Sequence, residues 1–432
     1  MTVISLELNE LNMHMVRDYI ERGSLPELAK LIDRHGLTET ASEEVYENIE
    51  PWIQWVTAHT GQEYPEHRIF RLGDIRDRGI DQIWEMLERQ GISVGAVSPM
   101  NAENRCEDAA FFLPDPWVGG KVKGPWALHQ LYDAVVQAVN DNAQSKLTAI
   151  TALKLMIGFT TYARFGSLRS YAQLLTAVSR KRAWAKAMIL DRLLADVFVK
   201  EMRKTKPQFS SLFLNAAAHI QHHYMFSSAV YSGPFQNPNW YVHPRADPIL
   251  DVYQLYDNII GDLRRAIPSA RLIVATGLHQ VPYGELTYYW RLKEHAKFLG
   301  SLGIPYNSVE TRMSRDFVVT CNNCEDASEA QCRLEMLTSL DNVPLFSVDN
   351  RGSDLFVTLS WPHDIPADFE YRFGNEVRHG LAEAVAFVAI KNGEHDGVGY
   401  LIDTGLPCSA ERVRLSELPQ RFARACGVPL GV

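Results

Sequence analysis

Short apolar runs, each about as long as a buried strand, recur along the chain and alternate with longer stretches of helical periodicity. Strands are predicted at Val3–Leu6, Gly91–Val97, Ser211–Leu214, Arg271–Ala275, Phe317–Thr320, Leu355–Leu359 and Gly399–Ile402. Helices are predicted at Met13–Arg34, with an interruption near Pro26, and at Ile83–Gln90, Pro248–Ala266 and Leu415–Cys426. This alternation is typical of an α/β fold whose mainly parallel sheet is covered by helices on both faces.

The stretch 125–205 differs from the rest, because it has helical periodicity and no convincing strand. We therefore expect one α/β domain built from 1–120 and 207–432, with 121–206 inserted as an all-helical cap. A chain of 432 residues, two to three times a typical domain, is long enough for this arrangement.

Charge is distributed unevenly between these parts. The formal net charge is -9, yet Lys146 to Lys206 carries 13 basic and 3 acidic residues, a balance of +10 that leaves -19 for the rest. The global balance argues against general nucleic-acid binding. The basic block is either a solvated face or a cap that attracts an anionic substrate, a membrane surface or an acidic partner. We therefore expect a small anionic substrate and no nucleic acid, and we keep peripheral membrane contact through 146–206 as an alternative.

Cysteines and targeting segments add little. Cys321, Cys324 and Cys332 lack the further ligand that a tetrahedral zinc site needs, so reduced thiols are expected. The N-terminus has no basic region before its short apolar run, unlike a signal peptide. The longest apolar stretch, Leu147 to Ala163, contains Lys154 and is expected to form a buried or interfacial helix. A cytoplasmic location is the expectation.

Candidate chemistry lies beside the predicted strands, because ligands of open α/β sheets bind beyond the carboxyl ends of the strands. Glu7, Asn9 and Glu10 follow the first strand, and carboxylates there suit a divalent metal or acid–base work. His219 and His223 follow Ser211–Leu214, and their i, i+4 spacing on a helix would place both imidazoles on one cation. The alternative for each is an ordinary solvated strand exit.

Two further histidines complete the pattern. His279 follows Arg271–Ala275, and His395 lies between Gly393 and Gly397 in what we predict to be a tight loop before the last strand. Asn101 and Arg105, after Gly91–Val97, are candidates for substrate binding, with Arg105 as an anion clamp; a structural loop is equally expected there.

These segments, in this order, resemble the alkaline phosphatase superfamily, in particular its type I phosphodiesterase/nucleotide pyrophosphatase branch. The matching phrases are Leu8–Asn12, Leu25–Leu28, Glu50–Trp52, Thr60–Ile69, 218–223, Gly277–Gln280, Gly393–Val398, Val413–Pro419 and Gly427–Pro429. The likeness covers roughly 1–115 and 207–432. It implies an alkaline-phosphatase-like fold and a site for two divalent metals with a Thr or Ser nucleophile.

The sequence departs from that family at the residues that do its chemistry. Asn9 stands where the family has its first metal-binding Asp, with Glu7 and Glu10 as substitutes, and Leu278 replaces the Asp before His279. The nucleophile position holds Ile49 or Glu50, and Thr57 lies nearby off the usual register. Either His222 or His223 matches the family's histidine after the third strand.

The resemblance and its departures support a metal-dependent hydrolase or transferase of a phosphate, phosphonate or sulfate ester. Water activated by the metal would attack, with Glu50 as alternative nucleophile or base and Thr57 as a second catalytic candidate. Zinc is the expected ion and manganese or iron the alternatives, as one or two ions bound by Glu7, Asn9, His219, His223, His279 and His395. The competing hypotheses are an inactive scaffold that binds an anion or a partner, and an iron site with redox chemistry.

Overall fold

A computed structural model of the protein describes residues 2–43, 45–140, 148–312 and 315–430. The strands are β1 (Val3–Leu8), β2 (Thr38–Ala41), β3 (Val94–Val97), β4 (Phe111–Leu113), β5 (Phe209–Leu214), β6 (Arg271–Ala275), β7 (His279–Leu292), β8 (Ser308–Thr311), β9 (Asp316–Thr320), β10 (Leu337–Ser339), β11 (Phe346–Asn350), β12 (Asp354–Leu359), β13 (Tyr371–Phe373), β14 (Glu376–Arg378), β15 (Val385–Asp396), β16 (Val398–Asp403) and β17 (Val413–Arg414).

The helices are α1 (Met13–Glu21), α2 (Pro26–His35), α3 (Pro51–Thr60), α4 (Tyr64–His67), α5 (Ile83–Arg89), α6 (Trp126–Asn140), α7 (Ala149–Tyr162), α8 (Leu168–Ser179), α9 (Ala185–Thr205), α10 (Ala216–Tyr224), α11 (Pro248–Ala266), α12 (His295–Ser301), α13 (Cys324–Glu335), α14 (Leu381–Ala384) and α15 (Leu418–Cys426). Short 3-10 turns at Tyr46–Asn48, Phe165–Ser167, Met225–Ser227 and Leu415–Glu417 connect several of them.

The central feature is an eight-stranded sheet with the order β17-β2-β16-β6-β1-β5-β3-β4. Strands β6, β1, β5, β3 and β4 run parallel, whereas β16 runs antiparallel to both β6 and β2. Both faces are covered, because α3, α5 and α15 pack on one side and α9 and α11 on the other. The predicted α/β class with a mainly parallel, doubly covered sheet is confirmed.

The parallel strands are apolar on both faces because each face meets helices. All six residues of β1 and all six of β5 are buried. The predicted interruption at Pro26 is also present: α1 ends at Glu21, and α2 begins at Pro26, whose fixed φ suits a first helical position.

The chain divides into two compact units. The first contains Met1–Ser232, His243–Pro282 and Gly393–Val432, and the second contains Gly233–Val242 and Tyr283–Asn392. Residues 121–206, predicted to be an inserted helical cap, belong to the first unit where they are described, and residues 283–392 belong to the second. That 121–206 is an insertion relative to a family stays a prediction.

The second unit is built mainly from antiparallel strands. A four-stranded sheet, β11-β12-β9-β8, is packed against α13 through Phe317, Val319, Leu355 and Val357. Two of these strands, β9 and β12, were predicted from their apolar runs. Their antiparallel pairing was not, because a short apolar run does not reveal the direction of its partner strand.

The predicted helical stretch 125–205 contains α6, α7, α8 and α9, apart from 141–147, which lies outside the described residues. The apolar run over 147–163 forms α7 from Ala149 onward. Among the described residues, no helix is both long enough and apolar enough to cross a membrane.

Candidate metal centre

Three side chains from distant parts of the sequence meet in the first unit. Glu10 follows β1, His222 lies on α10, and His395 lies near the end of β15. The Glu10 Oε2 atom is 3.2 Å from the Nε2 atom of His222 and 3.2 Å from that of His395. The two Nε2 atoms are also 3.2 Å apart. Within the described ranges, this is the only group of three or more such side chains spaced to share an ion.

These spacings fit a shared metal ion. Ligand atoms bonded at about 2.1 Å lie about 3.4 Å apart around a tetrahedral ion and about 3.0 Å apart around an octahedral one. The 3.2 Å edges of the triangle lie between these two values. One carboxylate and two imidazoles form a ligand set that proteins use for zinc and for non-haem iron.

The outer nitrogens of both imidazoles face acceptors. The Nδ1 atom of His222 lies 3.3 Å from the Gly393 carbonyl oxygen, which can only accept, so this nitrogen carries the proton. The Nδ1 atom of His395 lies 3.5 Å from the carboxylate of Glu50. In their neutral forms, both rings therefore direct an Nε2 lone pair toward Glu10. In metal sites, an acceptor bonded to the other ring nitrogen commonly orients a histidine ligand in this way. Two lone pairs and a carboxylate this close require a cation between them, either protons or a metal ion.

The protonation equilibria of these side chains reflect this crowding. Burial opposes ionisation of Glu10, but the positive charge of His395 and hydrogen bonds from both histidines hold the pKa of its carboxyl far below the usual range. Burial by itself would lower the pKa of His395, and the Glu10 carboxylate overcomes this and raises it. Burial raises the pKa of Glu50. The site therefore favours a carboxylate at Glu10 and a positive charge beside it.

The backbone at Glu10 is strained and firmly held. Its φ of 59° lies in the left-handed region, which costs a non-glycine residue about 1 kcal/mol or more. The Gln221 side chain donates to the Glu10 carbonyl oxygen at 2.7 Å, and the backbone N–H of Gln280 donates to it at 3.2 Å. Its own N–H donates to the Thr276 carbonyl at 3.0 Å. This turn directs the Glu10 side chain toward the histidines.

The Glu10 carboxylate is fixed by two amides. Asn9 Nδ2 donates to its Oε1 atom at 2.9 Å and to Asn215 Oδ1 at 2.8 Å. Gln280 Nε2 donates to its Oε2 atom. Gly393 is required for the close approach of β15, since a Cβ there would lie 2.3 Å from Gln280 Oε1. The ligand is thus held before any ion binds, which favours affinity.

The centre is open on one side. The Glu10 side chain is 3% exposed, that of His395 14% and that of His222 32%. An ion held by these three residues would have a protected side and a side that solvent or a ligand could reach, as catalytic metal sites require.

The other predicted ligands lie outside the triangle. Asn9 acts on Glu10 through its amide. His219 is exposed on α10, with its ring centroid 5.2 Å from that of His223. His279 is buried, and its Nδ1 atom donates to the Val398 carbonyl at 2.6 Å. Of the six predicted ligands, the structure places His395 alone in the triangle.

Glu7 lies within β1 and not after it, because the strand continues to Leu8. Its carboxylate is buried against the His59 ring at 3.2 Å. The segment around His395 is likewise a strand, β15, and the predicted tight loop there is wrong. Glu7 was interpreted as a strand exit and the segment around His395 as a turn, but both residues lie in strands, whose backbone groups pair within a sheet.

The predicted catalytic and substrate residues separate in the same way. Glu50 lies beside His395, whereas the hydroxyl of Thr57 is buried and pairs with His67 Nε2 at 3.2 Å. Asn101 is buried, and its amide donates to the Trp52 and Arg71 carbonyls. Arg105 forms a 3.4 Å ion pair with Asp81.

The supporting role of Gln221, Asn215 and Gln280 was not predicted. Gln221 and Gln280 lie next to candidate histidines and Asn215 begins the segment that holds them, but amide side chains at strand ends are common. Only the fold shows that all three converge on Glu10 or its neighbour.

Comparison with known proteins gives structural likeness only. No family model matches the sequence, and neither does any curated protein. Among solved structures, phosphonoacetate hydrolase from Sinorhizobium meliloti 1021 with phosphonoformate is 12% identical, with a TM-score of 0.46 over 98% of this chain and 95% of that chain. Murine ectonucleotide pyrophosphatase/phosphodiesterase 5 is 10% identical, with a TM-score of 0.43 over 100% of this chain and 96% of that chain. At these values, the likeness assigns no residue and no activity to this chain.

Proposed function

We propose that this protein is a metal-dependent hydrolase of a phosphate or phosphonate ester, and that Glu10, His222 and His395 hold its ion. The observation that carries the proposal is the 3.2 Å triangle of ligand atoms, with the outer nitrogen of each imidazole facing an acceptor. The phosphorus ester is inferred from the resemblance of the sequence to the alkaline phosphatase superfamily.

A bound divalent cation supplies charge stabilisation to an attacking oxygen and to an anionic substrate. The residues around it provide the orientation. Gln280 and Asn9 fix the two oxygens of Glu10, so that one oxygen faces both imidazoles. A single carboxylate leaves an excess positive charge on a divalent ion, which favours an anionic ligand on the open side.

Glu50 is the residue best placed to move a proton. Its carboxylate lies 3.5 Å from His395 Nδ1, its side chain is 35% exposed, and burial raises its pKa toward the range useful in general acid–base catalysis. The resemblance aligns Glu50 or its neighbour with a hydroxyl nucleophile, and a carboxylate there favours base or positioning chemistry.

The test begins with chelator-treated protein reloaded with Zn²⁺, Mn²⁺ or Fe²⁺. Each form is assayed on p-nitrophenyl esters of phosphate, phenylphosphonate and sulfate, and on bis(p-nitrophenyl) phosphate. We expect at least one of the phosphorus esters to be hydrolysed in a metal-dependent way. If every ion binds stoichiometrically and no ester is hydrolysed, the hydrolase is excluded and an anion-binding scaffold is the better account.

Two variants on α10 distinguish the ligand His222 of the triangle from His219, the ligand predicted from the sequence. His222→Ala removes a vertex of the triangle, and His219→Ala removes an exposed imidazole one turn earlier. Alanine is a good helix former, so both variants should keep α10 folded. We expect His222→Ala to lower metal affinity and activity by more than about 100-fold, which exceeds the usual effect of removing an outer partner. His219→Ala should retain the metal. Equal loss in both variants would overturn this set of ligands.

Redox chemistry at iron is the second candidate. It is favoured by the composition of the triangle, since two histidines and one carboxylate with open positions are the ligands of many non-haem iron oxygenases. Oxygen consumption by the Fe²⁺-loaded protein, suppressed in His222→Ala, would support it. Phosphorus-ester hydrolysis by the Zn²⁺ form without oxygen uptake by the Fe²⁺ form would exclude it.

A further inference from the structure

Large apolar side chains are concentrated on the outside of α7 and α8. Of the sixteen exposed large hydrophobic side chains among the described residues, six fall within 150–175. They are Ile150, Leu153, Met156, Phe165, Leu168 and Leu175, and we call them the apolar surface. Phe165 is 91% exposed and Ile150 68%. Single exposed hydrophobic residues are ordinary, but a cluster of this kind usually marks an interaction site.

The apolar surface follows from the periodicity of α7. Ile150, Leu153 and Met156 are spaced i, i+3, i+6 and share one side of the helix. The buried residues Thr151, Gly158 and Tyr162 lie on the nearly opposite side. Gly158 allows α6 to approach closely, since a Cβ there would lie 2.6 Å from Leu131 Cδ1. The helix is therefore packed on one side and leaves its other apolar side in water.

Helices α7 and α8 pack against the same neighbour. The Tyr162 hydroxyl donates to Glu201, and the Tyr171 hydroxyl donates to Asp196, both on α9. The rings of Phe159 and Tyr171 lie 4.8 Å apart and join the two helices. The outer sides of α7 and α8 thus both face away from α9, and Phe165 lies in the turn between them.

The charge exposed around the apolar surface is basic. Lys146 to Lys206 contains three acidic residues, and all three, Asp191, Asp196 and Glu201, are buried. By contrast, Arg169, Arg180 and Lys181 are exposed. A shallow groove of about 350 Å³ on α8 is lined by Arg169, Gln173, Thr176, Arg180 and Arg182, among others. Acidic residues of neighbouring elements balance part of this block, since Lys154 pairs with Asp133 and Arg182 with Asp251. Arg169, Arg180 and Lys181, which are exposed and form no ion pair with the other described residues, therefore give this surface its basic character.

We propose that the apolar surface and its flanking arginines bind the protein peripherally to an anionic phospholipid bilayer. Apolar side chains on one side of a helix, flanked by basic residues, are what an interfacial helix presents to the boundary between headgroups and acyl chains. The arginines would meet lipid phosphates. A second copy of this chain is a poorer occupant, because it would bring two basic surfaces together.

Vesicle co-sedimentation of the full chain tests the proposal. Vesicles of phosphatidylcholine alone are compared with vesicles containing 30% phosphatidylglycerol, in 0.1 M and 0.5 M NaCl. We expect binding to the anionic vesicles that weakens at the higher salt concentration, because screening reduces the attraction of basic residues. Absence of binding to anionic vesicles, or equal binding to both compositions at both salt concentrations, would overturn the proposal.

Variants separate the contribution of the apolar side chains to vesicle binding from that of the basic side chains. The double substitution Met156→Asp with Phe165→Asp should abolish binding, and neutralising Arg169, Arg180 and Lys181 to Gln should weaken it about 100-fold. Val377→Asp and Leu406→Asp, at other exposed apolar positions, should bind as the unaltered protein does. Circular dichroism and thermal unfolding confirm that each variant is folded. If the double variant retains binding, or if it only abolishes self-association seen by light scattering, the surface has another occupant.

Discussion

Two carboxylate–imidazole contacts lie three residues apart on the first strand and its exit, and they differ in what surrounds them. Glu7 pairs with His59 at 3.2 Å, and both side chains are 1% exposed. Glu10 meets His222 and His395 at the same distance, but the imidazoles are 32% and 14% exposed. The first pair is enclosed by the core and the second opens to solvent.

The surroundings explain the difference. Glu7, the last residue but one of β1, contacts His59 on α3, and the Trp84 ring lies 4.8 Å from the His59 ring. Glu10 lies beyond the end of β1, where the chain turns with a positive φ. The same chemical groups therefore form a closed structural pair in one place and a candidate metal centre in the other. Exposure of the imidazole side chains, more than the presence of a carboxylate beside a histidine, distinguishes the two.

The largest effect is expected from breaking the closed pair. His59→Ala removes the imidazole from the buried Glu7 carboxylate and leaves it the hydroxyl of Ser5, which should lower the free energy of unfolding by about 3–5 kcal/mol. Chemical denaturation measures this change. Replacing both residues by apolar ones of similar size, Glu7→Met with His59→Leu, should recover most of the loss, and metal content should be unchanged in the double variant. A stability loss below about 1 kcal/mol in His59→Ala would show that the pair is not closed.

A third buried carboxylate, Asp191, extends the comparison, because burial favours its protonated form. Asp191 accepts hydrogen bonds from Tyr256 and from the Ala216 N–H at the start of α10. Burial nevertheless raises its pKa from 3.8 to about 6. The folded protein therefore keeps a proton that the unfolded chain releases, so this group lowers stability as the pH rises from about 4 to 6.

Asp191→Asn should remove this contribution. Two pKa units correspond to about 3 kcal/mol, which is the expected reduction in the stability lost between pH 4 and 6. Chemical denaturation at several pH values measures how steeply the free energy of unfolding falls with pH. Asp115, also buried and with its pKa raised to about 6, provides a matched second variant, Asp115→Asn. An unchanged slope in Asp191→Asn would mean that Asp191 is ionised in the folded protein throughout this range.

The smallest effect concerns the outer partner of the open centre. Glu50→Gln retains a hydrogen-bond acceptor beside His395 but removes the charge. Zinc affinity should fall about 10- to 100-fold, as for other outer partners of metal-bound histidines. Competition with a chromogenic chelator measures the affinity. Glu394→Gln, next to His395 and half-buried, is the control and should change little. Equal affinity in Glu50→Gln and the unaltered protein would remove Glu50 from the centre.

Much of the first unit was predictable from the sequence. Buried strands such as Val3–Leu8 and Arg271–Ala275 are apolar runs between helices, and α11 has the predicted bounds Pro248–Ala266. The antiparallel second unit was harder to predict from the sequence, because its short strands are recognised only through partners distant in sequence. The region holding the site was predictable as well, since the chemistry lies at strand ends.

The ligands themselves were harder to identify. Glu10 appeared in the sequence as a substitute beside Asn9, and His222 and His223 could not be separated by spacing. The structure distinguishes them through the bond from His222 Nδ1 to the Gly393 carbonyl, a contact across 171 positions of sequence. Glu7 and Glu10 differ through the length of β1, which extends two residues beyond the predicted end.

The most direct test of the account is anomalous diffraction from a crystal grown with saturating zinc. We expect an ion bonded to Glu10, His222 and His395 at about 2.0–2.2 Å, with Glu7 and His59 still paired with each other. An ion at full occupancy on His219 and His223 without Glu10, or no ion at the triangle, would contradict it.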